Sequence, residues 1–83
     1  NQPPVMDTLA VLLVDKGDTA RALELFRKAL EIAPQASQIR LNYAKALLKA
    51  GQKSDARSEL DQLAKLGEKF PGQAEVAQLQ KGL

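Results

Sequence analysis

The chain matches itself when slid along its own length by 34 residues. Leu9 then falls on Tyr43, Ala10 on Ala44, Leu13 on Leu47, Gly17 on Gly51, Ala22 on Ala56 and Phe26 on Leu60. A period of this length holds one supersecondary unit and is too short for a domain, so it restricts the fold to a stack of like units. The unit itself reads as helical. Val5, Met6, Leu9, Leu12 and Leu13 recur at helix spacing before a break at Lys16-Gly17-Asp18. Ala22, Leu23, Phe26, Ala29 and Leu30 form the next apolar stripe, with Asp18 as a favourable N-cap and Pro34 as its stop. A third segment carries Ile39, Tyr43, Ala44 and Leu47 as far as Gly51, which suits a left-handed C-cap. A fourth carries Ala56, Leu60, Leu63 and Ala64 and stops around Gly67; after Pro71-Gly72, Val76, Leu79 and Leu83 return to helical spacing. The expectation is an all-α chain of five helices joined by short links.

Side-chain size follows the same echo. Small Ala10, Ala22, Ala44 and Ala56 allow paired helices to approach closely, while Leu9, Leu13, Phe26, Tyr43, Leu47 and Leu60 are placed to fill the layers between them. Gly17 and Gly51 stand where each pair must turn. Met6-x2-Leu9-Ala10-x2-Leu13, then Ala22-x3-Phe26, then Pro34 resembles the tetratricopeptide repeat (TPR) pattern. Arg40-x2-Tyr43-Ala44-x2-Leu47 with Ala56-x3-Leu60 is a looser second copy, whose proline is delayed to Pro71 by an extended helix or turn. The resemblance implies a helix-turn-helix solenoid: repeat 1 over residues 3–36, repeat 2 over 37–70, and a C-terminal capping helix over 71–83. The polar positions Gln73, Glu75, Gln78 and Lys81 suit the outer face of such a cap.

A narrower resemblance concerns the tail. Leu66-Gly67-Glu68-Lys69-Phe70-Pro71, then Ala74-Glu75-Val76-Ala77-Gln78-Leu79 and Gly82-Leu83, is similar to the C-terminal end of bacterial PEP-CTERM/exosortase-associated TPR lipoproteins. This implies an exopolysaccharide or protein-sorting envelope scaffold, periplasmic or anchored at the outer membrane, with further repeats upstream. Without that resemblance, a cytoplasmic location is the expectation. The chain opens at Asn1 rather than Met and reads as a piece of a larger protein.

Composition narrows function mainly by what is missing. The sequence has no Cys and no His, which removes thiol chemistry, the usual general base and the usual metal ligands. Asp15 and Asp18 flank a turn, where capping and solubility account for them better than acid–base work. Glu24 with Lys28, and Asp61 with Lys65, have the favourable i,i+4 order of an exposed helix face. No enzyme activity, metal or cofactor is expected. A net charge of +2 and only three aromatic residues, Phe26, Tyr43 and Phe70, give no basic stripe or stacking platform for nucleic acid. The longest apolar run, Leu9 to Val14, is six residues, against roughly 20 for a membrane helix.

Function is therefore expected to be noncatalytic protein–protein interaction, with a purely architectural solenoid end as the other reading. In the TPR resemblance the first helix of each pair faces a concave groove. That places Asp7, Val11 and Val14, and Leu41, Asn42, Lys45, Leu48 and Lys49, on or near the partner surface. Lys45 and Lys49, one turn apart, form a small positive step, which reads first as two lysines keeping an exposed face soluble and second as attraction for an acidic peptide or a C-terminal carboxylate. Some TPR proteins grip chaperone tails with a carboxylate clamp, and Asn42 sits in one of its slots. Asp7 and Val11 stand where the clamp's Lys and Asn belong, so a chaperone-tail adaptor is not implied. The Val5–Val14 helix is apolar around most of its circumference, so neighbours are expected on more than one side: an upstream repeat, or a second copy in a homodimer.

Overall fold

Each helix pair is closed by the same turn. In a computed structural model, which describes residues 2–83, α1 (Pro3–Asp15) ends where Gly17 adopts a φ of 90° and α3 (Ser37–Lys49) where Gly51 adopts 80°. An L side chain is disfavoured in that left-handed region. Around Gly17, its own N–H bonds to the Val14 carbonyl at 3.0 Å and the Asp18 N–H to that of Leu13 at 2.8 Å. Around Gly51, the partners are Leu48 at 3.1 Å and, from the Gln52 N–H, Leu47 at 2.9 Å. Both are Schellman closures that satisfy the carbonyls left over at a helix end. The chain reverses and α2 (Thr19–Ile32) and α4 (Lys53–Ala64) run back along their partners. A last helix, α5 (Gln73–Lys81), lies against α4, so the described residues form five α-helices and no strand.

The alanines do what their size allows. Ala10, Ala22, Ala44 and Ala56 are all fully buried, and α1 packs closely on α2 as α3 does on α4. One apolar cluster joins the two pairs: Ala10, Ala22, Leu23, Phe26 and Ala29 meet Ile39, Ala46, Leu47 and Ala56. A second, of Leu41, Ala44, Leu60 and Leu63, is closed by Phe70 and Val76. The residue that seams the pairs is Tyr43. Its ring lies 6.0 Å from that of Phe26, and its hydroxyl accepts a hydrogen bond from Arg27 Nε at 3.1 Å. Arg40 adds a polar clip, pairing with Glu59 on α4 while donating to the Pro34 carbonyl at 3.0 Å.

The delay of the second proline is now explained. The lengthening lies in the turn, because α4 stops at Ala64 and a short 3-10 turn, Gly67–Lys69, precedes α5. The detour brings Phe70 into the core. A Cβ on Gly72 would lie 2.6 Å from the Phe70 ring, so this position must be small for the ring to fit. The Gln73 side-chain amide then donates to the Leu63 carbonyl at 2.6 Å and to that of Gly67 at 3.1 Å, tying the detour to α5.

Several expectations need correction. Asp18 precedes α2 but makes no capping hydrogen bond. Its φ and ψ of −94° and 63° lie outside the extended region from which a cap usually reaches back, and its carboxylate instead sits 3.6 Å from Arg21. Among the described residues, neither Glu24–Lys28 nor Asp61–Lys65 forms an ion pair; Asp61 accepts a hydrogen bond from Gln80 on α5 at 2.9 Å. Leu9, expected between helices, is exposed, because among the described residues no helix stacks on its side of α1. Leu41, expected near the groove, is fully buried, since Phe70 from the preceding turn and Val76 of α5 close over it.

Candidate functional site

The helical period places Asn42, Lys45, Ala46 and Lys49 on one face of α3, and Val11 and Val14 on one face of α1. Where these faces meet they line a depression of about 190 Å³, which Phe26 and Asp15 also border. Phe26 and Ala46 are almost wholly buried and form its apolar floor, while Val11 and Lys49 are exposed at its rim. Five of the eight candidate partner residues (Val11, Val14, Asn42, Lys45 and Lys49) are thus brought together.

The remaining three lie elsewhere, Leu41 being buried in the second cluster. Asp7 stands one step behind the depression, and its carboxylate accepts a hydrogen bond from Asn42 Nδ2 at 3.0 Å. Asn42 Oδ1 in turn accepts one from Gln38 Nε2 at 3.3 Å, so the Asn42 amide is held from both sides. Asp7 acts here as an anchor for Asn42, a role the sequence did not suggest. Leu48 is off the depression, half-buried against the cluster that joins the two pairs.

The positive step is also reduced. Lys45 Nζ is paired with the Glu75 carboxylate of α5, leaving Lys49 as the lysine at this site with no ion pair among the described residues. Asp15 on the same rim offsets it further. Sequence reading missed Asp15, Phe26, Ala46 and Glu75. The first three carried a signal: each is one helical turn from a residue already singled out (Val11, Ala22 and Asn42). Glu75 carried none, because the link from 65 to 72 is longer than its counterpart between α2 and α3 and helps set where α5 lands.

Size decides what such a site can hold. Small-molecule pockets usually span about 300–1,000 Å³ and enclose most of their ligand. A shallow 190 Å³ hollow with an apolar floor suits one or two side chains of a larger partner. Among known families, the model for the tetratricopeptide repeat matches residues 13–83. The chain belongs to the TPR family. No curated protein matches it in sequence. The TPR assignment covers most of the chain and agrees with its paired, strand-free helices. TPR units are in general noncatalytic scaffolds that contact other proteins, and protein partners are what this fold suggests. Among the described residues no helix of this TPR chain is long and apolar enough to cross a membrane.

Proposed function

We propose that this TPR chain is a noncatalytic interaction module that takes a peptide segment across the face shared by α1 and α3. The observation that carries the reading is the convergence of Val11, Asn42 and Lys49 over a floor made by Phe26 and Ala46. In this reading the floor receives an apolar side chain, Lys49 attracts an acidic group beside it, and the anchored Asn42 amide meets the peptide backbone. The repeats run over 3–36 and 37–70, and 71–83 is a cap whose Glu75 holds Lys45 in place.

The test is a selection of displayed random heptapeptides on the whole chain, repeated on Lys49→Glu and on Val11→Asp. Enrichment of peptides pairing an acidic residue with an apolar one, lost at least tenfold in both variants, supports the reading. Enrichment insensitive to both variants, or none at all, rejects it. The second reading, an architectural end that stacks without a peptide ligand, is favoured by the exposed Val5, Leu9 and Leu12 of α1. A homodimer through that helix is one form of it, checked by sedimentation of the chain over a concentration series. The tail stretches 66–71, 74–79 and 82–83 support a place in a bacterial envelope scaffold through their resemblance alone; recovery of the native protein in a soluble cytoplasmic fraction rejects it.

A further inference from the structure

One charge at the peptide face comes from outside the two helices that form it. Glu75 stands in the first turn of α5, yet its carboxylate pairs with Lys45 Nζ of α3, and Lys45 lines the depression. The pair is open to water, its side chains 40% and 47% exposed. Arg40–Glu59, at 18% and 17%, is far more enclosed, and Arg40 has a second anchor on the Pro34 carbonyl. Ion pairs as exposed as Lys45–Glu75 are weak, so another carboxylate can exchange into one at little cost. Such an exchange leaves the cap in place. Val76 and Phe70 stay buried in the second cluster, Gln73 still donates to the Leu63 and Gly67 carbonyls, and Gln80 to Asp61. A freed Glu75 also keeps a favourable position, because the first turn of a helix stabilises negative charge.

We infer that Glu75 is a built-in competitor for the ligand: it occupies Lys45 as a peptide carboxylate would, and yields it to a peptide that brings a second acidic residue. The inference rests on the peptide reading above and adds what sets its specificity. Lys49 meets the first acidic group. Lys45 stands one helical turn away, about 6 Å along α3. An extended peptide repeats its side chains on one face every ~6.7 Å, so acidic residues two positions apart match the two lysines. A peptide with one acidic residue binds at Lys49 and leaves the Lys45–Glu75 pair intact. A peptide with two gains less than two free lysines would give it, since its contact at Lys45 replaces one already made. Glu75 thus holds down the preference for doubly acidic peptides. The other nearby carboxylates are placed differently: Asp7 is engaged by Asn42, and Asp15 forms no ion pair among the described residues.

The experiment uses the displayed heptapeptide library on the whole chain, Glu75→Gln, Glu75→Ala, Lys45→Gln and Glu31→Gln, at about 0.15 M salt, where charges more than roughly 8 Å apart are largely screened. Sequencing gives the enrichment of peptides with acidic residues two positions apart relative to peptides with one. That ratio should rise about threefold to fivefold in both Glu75 variants, the worth of one exposed ion pair. Alanine suits a helix, so Glu75→Ala guards against a loosened α5. The ratio should fall to about one in Lys45→Gln, where no second contact is left to gain. It should not move in Glu31→Gln, which makes the same change of net charge outside the depression. A ratio unchanged or lowered in the Glu75 variants, or raised equally in Glu31→Gln, overturns the inference while leaving the peptide reading standing. No enrichment on any of these proteins overturns both.

Discussion

α1 and α5 are the outer helices of one stack, and they meet solvent in opposite ways. At the α5 end, Val76 is 1% exposed and Phe70 closes the second cluster, while Glu75, Gln80 and Gln73 tie the helix to α3, α4 and the preceding turn. At the α1 end, Val5, Leu9 and Leu12 face outward over a helix held on the inner side by Ala10, Met6 and Leu13. The difference shows how an end is sealed in a repeat stack. A cap needs one aromatic turned inward and polar side chains that reach back, and an apolar helix without them remains a surface for something else.

The largest blow to the contrast should come from its middle. Phe26→Ala removes the ring that contacts both Tyr43 and the cluster joining the pairs, and should cost about 3–5 kcal/mol. Roughly 4–12 kcal/mol is the whole stability expected of a chain this size, so thermal melting should show the Tm of this variant lowered by more than about 10 °C. Phe70→Ala isolates the capped end. It should cost about 3 kcal/mol by denaturant titration, and hydrogen exchange should quicken across α5 while the α1 amides keep their rates. Equal effects at both ends would break the comparison. Gly51→Ala forces a methyl group into the left-handed region at 80°, and should lower stability by about 1 kcal/mol in the same titration. The smallest effect belongs to the bare end, where Leu9→Lys in the chain alone should shift stability by less than about 0.5 kcal/mol. A larger loss would mean Leu9 is packed in solution.

Most of the architecture was legible because the repeat fixes it twice over. The same small residues and the same turn glycine recur at 34-residue spacing, so a helix read in one copy is checked by the other. The candidate site was legible to the extent that it obeys helical period: Val11, Asn42, Lys45 and Lys49 share a depression because their helices are paired copies. Legibility failed where the repeat does. The 65–72 link is unique in the chain, and it sends Phe70 over Leu41 and Glu75 onto Lys45. Neither contact follows from the composition of the helix concerned. Asp18 illustrates a different gap, since its residue type favours capping but the backbone angles left by the glycine turn decide whether the side chain can reach.

Tyr43 has a practical consequence. It is the single tyrosine in a chain without tryptophan, and it lies where the two helix pairs touch. Its emission therefore reports on the junction, whereas circular dichroism reports on coil content everywhere. If the two signals fall together on heating, the halves part and unravel as a single event; if fluorescence moves first, the halves separate while still wound.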